Sequence, residues 1–264
     1  MKYMKNTTTL YFIGVGVLIF LCGALIGYWV TLQEEYTPMV NIQKDMSRDT
    51  LKEMPEYTPQ EREYLFSVSL PSPSLLGTLS VEQALKERRS RREYADTPLS
   101  LSELSQMLWA GQGQTTEDGK RTAPSGRNIY PITLFVAVEN VEGLTQGVYE
   151  YIPETHELKM LREGSVMSEW EAITPQTYPT RASAVVFVNG NMLKPYESFG
   201  EKSRQVVAQE SGHIGQNMYL QAESLSLAML VMGGFSSDEA RKILGTTEFD
   251  EVLYLIPIGH RLGE

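Results

Sequence analysis

Residues 122–138 read TAPSGRNIYPITLFVAV. The first ten are mostly small or turn-forming, and Pro131 closes them. The last seven, Ile132–Val138, are apolar and rich in β-branched types. That pattern predicts a short buried strand entered directly from a turn. Working outward, the apolar stretch 184–188 (AVVFV) and the stretch 251–258 (EVLYLIPI) predict two more strands. Weaker strands are predicted at 147–151 and 157–161, around a turn at Pro153. Residues 81–89 predict a short helix with a basic carboxyl end. Ser100-Leu-Ser-Glu103 is a capping box ahead of Leu104, Met107 and Leu108. Residues 206–232 predict one long helix, and 238–244 a short one. Helices and strands alternate irregularly, which predicts an α+β layer fold.

The chain has 264 residues, with Lys+Arg 23 against Asp+Glu 33 and a formal charge of -10. Hydrophobic residues at 42% exclude wholesale disorder. The acidic balance argues against nucleic acid as a partner, because phosphate-backbone binding needs clustered cations. One cysteine, Cys22, excludes an intramolecular disulfide and a cysteine-based zinc site.

Residues 10–32 carry no charge over 23 positions. As a helix they would be about 34 Å long, enough for a hydrocarbon core of roughly 30 Å. Lys2 and Lys5 precede the run, and Glu34 and Glu35 follow it. The expectation is a cytoplasmic segment at 1–9, a transmembrane helix at 10–32, a stalk at 33–74 and a folded domain at 75–264. The positive-inside bias would place that domain outside a cell membrane crossed once.

There is no GxxxxGK, no GxGxxG after a strand, no HExxH and no G-x-S-x-G elbow. His156, His213 and His260 lack ligand spacing, so no metal site is expected. What stands out is RRSRR at 88–92, four guanidinium groups within five residues of an acidic protein. Such a group can clamp a phosphate, with Ser90 as a further donor; read alone, it is equally a solvated helix end. Three further stretches invite a ligand. In 122–131 small residues allow close backbone approach and Asn128 offers donors and an acceptor. Gly233-Gly234 follows the predicted long helix. His260-Arg261 follows the last strand. Each has a plain alternative as a turn, a helix stop or a polar tail.

Taken in order, these motifs resemble the nitroreductase superfamily, and more closely its SagB/ThcOx-type dehydrogenase branch. The series runs RRSRREY, PLSLSELSQMLWAGQG, RTAPSGRNIYP, VEGLTQGVYEY, ESGHIGQNMYLQAESLSLAM, GGF and the terminal strand. The resemblance implies a nitroreductase-like α+β fold, an FMN cofactor, and a pocket shared across a homodimer. It implies phosphate and ribityl contacts from Arg88, Arg89, Ser90 and Arg92. Ser125, Gly126 and Asn128 would lie near the ring or ribityl, Gly233 and Gly234 against the ring, and Arg261 would complete the phosphate site. The implied activity is oxidoreduction of a small organic acceptor or donor, with NAD(P)H or a quinone-type electron donor. No catalytic acid or base is named. Azoline-oxidising members resemble KYGER before the GHxxQN helix; here that stretch is Ser198-Phe-Gly-Glu-Lys202. Serine and phenylalanine supply no equivalent acid or base, which argues against oxidation of a peptide natural product. A flavin-free tethered binding domain is the alternative from another class.

Overall fold

The computed structural model describes residues 55–263. One sheet of seven strands organises them, in the order β1-β4-β3-β2-β5-β7-β6 with every neighbouring pair antiparallel. The strands are β1 (Ser67–Ser69), β2 (Ile132–Val138), β3 (Gly147–Ile152), β4 (Glu157–Glu163), β5 (Ala184–Asn191), β6 (Leu227–Met229) and β7 (Asp250–His260).

Side chains on a strand alternate between two faces, so a stretch covered on both faces is apolar on both. Leu134–Val138 of β2 and Ala184–Val188 of β5 are such stretches. Leu134 and Val136 of β2, with Val186 and Val188 of β5, belong to one buried cluster. Phe135 and Ala137, with Val185 and Phe187, belong to another. The first cluster is closed by α2 (Leu101–Gln112) and α5 (Ser203–Ser224), which contribute Leu104, Met107, Leu108, Ile214 and Met218. The second is closed by α3 (Trp170–Ile173) and α6 (Ser237–Leu244), with Trp170 stacked on Phe187 at 5.9 Å. Two shorter helices complete the set: α1 (Val81–Glu87) and α4 (Tyr196–Phe199).

The capping box at Ser100 and Glu103 forms in both directions, at 3.2 and 2.8 Å. Two sequence expectations are revised. α1 ends at Glu87 rather than 89, because Arg88 turns to extended backbone (ψ 122). The expected helix over 206–232 is a helix, a turn and a strand. α5 stops at Ser224, Ser226 takes φ 54, and Leu227–Met229 joins β7 as β6. Ser67–Ser69, in the stretch expected as stalk, adds β1 to the sheet edge, and Arg62 pairs with Glu150 at 2.7 Å.

The single-pass membrane localisation expected from the sequence is corrected. Among the described residues no helix is long and apolar enough to cross a membrane. Residues 1–9, residues 10–32 that carried the expectation, and the amino-terminal part of the expected stalk lie outside the described residues.

Candidate functional site

α5 is the frame of the site. Its apolar side chains enter the core, and several polar ones reach other segments, four of them around the candidate site. Glu210 accepts hydrogen bonds from Ser125 Oγ (3.0 Å) and from the Gly126 N–H (2.9 Å). Asn217 donates to the Thr122 carbonyl at 3.2 Å. The Tyr219 hydroxyl meets Ser90 Oγ at 2.7 Å and accepts the Val231 N–H at 2.9 Å. Glu223 takes Arg91 at 2.7 and 3.0 Å and Arg261 at 2.8 Å.

The four guanidinium groups at 88–92 are not equivalent. Arg91 is paired with Glu223, and its N–H donates to the Met229 carbonyl at 2.9 Å, pinning the stretch to β6. Arg89 folds back onto the carbonyls of Lys86 (3.0 Å) and Arg88 (2.7 Å), satisfying the end of α1. Arg88 lies over the Tyr219 ring at 4.9 Å, and Arg92 beside the Tyr178 ring at 5.9 Å. Among the described residues, no carboxylate pairs with Arg88, Arg89 or Arg92. In a chain of charge -10, three such arginines beside an exposed serine make a local anion-binding surface.

The glycine pair belongs to this same region. Val231, whose N–H is held by Tyr219, leads through Met232 to Gly233 and Gly234, both exposed. Tyr178, beneath Arg92, bonds Met232 Sδ through its hydroxyl at 3.0 Å. Arg261 joins through Glu223. The structure thus gathers Arg88, Arg89, Ser90, Arg92, Gly233, Gly234 and Arg261 around the carboxyl-terminal half of α5. Arg261 is committed to a buried ion pair there.

Ser125 and Gly126 contact α5 elsewhere, at Glu210, and Asn128 follows them in the same turn. Their turn carries positive φ at three non-glycine residues, Arg127 (56), Asn128 (58) and Tyr130 (50). Such backbone costs of order 1–3 kcal/mol per residue and persists only where neighbours hold it. Besides Glu210, Lys194 Nζ donates to the Tyr130 carbonyl at 2.9 Å. The Phe199 ring covers Gly126 so closely that a Cβ there would stand 2.9 Å from it. Phe199 is thus a packing wall over this turn. Residue separations on α5 put the Glu210 contacts about 14 Å along the axis from Tyr219 and about 20 Å from Glu223, on nearly opposite faces. Within one chain the two stretches do not converge.

Burial pushes the Glu210 carboxyl above the ordinary carboxylate range, against its hydrogen bonds from Gly126 and Ser125 and the nearby His213 and Lys194. Burial likewise pulls the Lys194 amine down. Ionising Glu210 therefore costs the folded state. The stability it contributes is full below the unfolded carboxylate pKa and is lost as pH rises through the raised folded value. Glu210→Gln is expected to gain thermal stability over the parent as pH rises from the acid side of that window to neutrality. Melting curves across that range, showing a difference that shrinks with rising pH, would contradict the buried-carboxyl account.

A groove of about 680 Å³ runs beside the 122 end of this turn, lined by Leu75, Leu76, Val81, Trp109, Asn217 and Leu220 among others. Leu75 and Leu76 are 78% and 91% exposed there.

The sequence model of the nitroreductase family matches residues 85–260, well over half the chain. The chain belongs to the nitroreductase family. A nitroreductase-like protein of Methanocaldococcus jannaschii is 37% identical over 185 residues, which is 70% of this chain and 92% of that one. Almost all of that relative is thus the shared domain, so it offers the membrane expectation no support. A nitroreductase-like structure from Ralstonia eutropha JMP134 superposes with TM-score 0.65 at 23% identity, covering 80% of this chain and 99% of that one. Another, from Anabaena variabilis, gives 0.65 at 26% identity over 78% of this chain and 45% of that chain, so this chain spans less than half of it. The Escherichia coli microcin synthetase McbBCD complex, solved with truncated pro-MccB17, gives 0.58 at 19% identity, over 77% of this chain and 79% of that one. At that identity the likeness concerns the nitroreductase fold alone.

Sequence reasoning missed Glu210, Tyr219, Glu223 and Lys194. Glu210, Tyr219 and Glu223 share a helix with many other polar residues, and no local pattern in the sequence sets them apart.

Proposed function

We propose that this chain is an FMN-dependent oxidoreductase acting on a small organic acceptor or donor, built as a homodimer. The observation that carries the reading is the set of arginines 88, 89 and 92, left without carboxylate partners beside Ser90 in an acidic protein. The phosphate of FMN is close to a dianion at neutral pH, and this donor set suits it. The residues therefore fit the group. Arg88, Ser90 and Arg92 would hold the phosphate, and the exposed Gly233-Gly234 backbone would lie near the ring. When bound, FMN supplies the two-electron chemistry, while the protein binds, orients and excludes water.

Ser125, Gly126 and Asn128 would complete a site of the partner subunit. The separation of the two stretches on α5 supports this, since one chain alone does not bring them together. The exposed Leu75 and Leu76 beside an apolar groove support a second copy as the cover, because apolar exposure of that kind marks an association surface. The order of the motifs supports the SagB/ThcOx-type branch. The electron donor would be NAD(P)H or a quinone-type reductant.

The test is the visible spectrum of the purified protein after incubation with FMN and removal of excess, together with its mass in solution. Flavin absorbance on a dimer is expected. A colourless protein would leave the flavin-free binding domain as the better reading. Anaerobic bleaching with NAD(P)H, compared with a reduced quinone, assigns the donor.

A further inference from the structure

We infer that Tyr219 is a positioning residue that makes this site select a phosphate-bearing flavin over riboflavin. The inference rests on the reading of residues 88–92 as the phosphate site, and it concerns how that site is held ready.

The Tyr219 hydroxyl has one proton and two lone pairs. The Val231 N–H occupies one lone pair, at 2.9 Å. Ser90 Oγ stands 2.7 Å away, so either hydroxyl can donate to the other. An anionic phosphate decides between them. It accepts only, so Ser90 must turn its proton outward, and the Tyr219 proton then goes to Ser90 Oγ. The chain Val231 N–H to Tyr219 O–H to Ser90 O–H ends in a donor aimed at the ligand. Such relays strengthen along their length, since each bond polarises the next. Val231 is backbone fixed beside β6, so the relay is anchored in the fold and not in another mobile side chain.

The same ring carries a second part of the site. Arg88 lies over it at 4.9 Å, within the range of a cation–π contact. Arg88 has no carboxylate to orient it, so the ring takes that role without neutralising the charge. Tyr219 therefore aligns two phosphate donors, one with its hydroxyl and one with its face. FMN and riboflavin differ only in the phosphate, so a residue acting on these donors alters affinity for FMN alone.

Tyr219→Phe keeps the ring and removes the hydroxyl. The full chain, freed of flavin, is titrated with FMN and with riboflavin by quenching of flavin fluorescence. Circular dichroism checks each variant's fold. FMN affinity is expected to fall about five- to tenfold in Tyr219→Phe, the loss of one oriented hydrogen bond, with riboflavin affinity unchanged. Ser90→Ala, an exposed change with no core contact, should show the same selective loss. The double variant should lose no more than Ser90→Ala, because the two hydroxyls act as one unit. Equal losses for both flavins, or additive losses in the double variant, would overturn the inference. So would a Tyr219→Phe protein that matches its parent. If the parent itself binds FMN no better than riboflavin, the phosphate reading of residues 88–92 fails instead, which is a different result.

Discussion

Protein carrying Arg88→Ala and Arg92→Ala together is expected to lose FMN while keeping its fold. Neither side chain has a carboxylate partner, and neither lies in the core. Arg88 loses its contact with the Tyr219 ring, worth about 0.5–1 kcal/mol at an exposed site, so melting should shift little. The phosphate loses far more. A charge-assisted hydrogen bond contributes about 1.5–3 kcal/mol, which is roughly 10- to 150-fold in affinity for each arginine. The two act on one anion, so their effects need not add, and the double variant should sit at or beyond the larger single loss. Arg91→Ala is the internal contrast. It breaks the ion pair with Glu223, so it should lower melting temperature before it touches flavin. Arg89→Ala should be mild on both counts, because its guanidinium is engaged by the carbonyls ending α1. Titration of flavin-free protein, paired with thermal melting, separates the four. Unchanged FMN affinity in both the Arg88 and Arg92 variants would place the phosphate elsewhere.

That contrast marks where the sequence is transparent and where it is not. The central strands could be read because burial on both faces leaves long apolar runs, as in Leu134–Val138. The start of α2 could be read because a capping box is a local device. The end of α5 could not. Residues 227–232 are apolar throughout, and such a run suits a buried helix or a buried strand equally. The strand forms because β7 offers Ile258, Gly259 and His260 as partners 29 to 33 residues further on. The arginine stretch was visible as a cluster, but the division of labour within it was not. Arg91 finds Glu223 across 132 positions, and Ser125 finds Glu210 across 85. No periodicity or spacing reports pairings at that range. The ordered motifs drew attention to both stretches, yet the contacts of the two on opposite faces of α5 emerged only from the folded chain.

The second large effect lies at Glu223. Its side chain is 4% exposed and holds Arg91 and Arg261, whose side chains are 27% and 13% exposed. Removing the carboxylate in Glu223→Ala takes away the acceptor that both guanidinium groups share, in a place water reaches poorly. Breaking a buried ion pair from one side costs about 3–5 kcal/mol, which for a domain of this size is a fall of roughly 6–20 °C in melting temperature. Glu223→Gln keeps the volume and one acceptor oxygen, so its loss should be smaller but of the same sign. The combination Arg91→Met, Glu223→Leu and Arg261→Met removes all three charges and should recover much of the stability, since apolar replacement of a buried charge set is often neutral or favourable. It should not recover flavin affinity, because Arg91 anchors the backbone from which Ser90 and Arg92 project. A triple variant as unstable as Glu223→Ala would show that hydrogen-bond geometry, and not unpaired charge, is what Glu223 supplies. A triple variant that is stable and binds FMN normally would show that the stretch 88–92 is held by its Met229 and Tyr219 contacts alone.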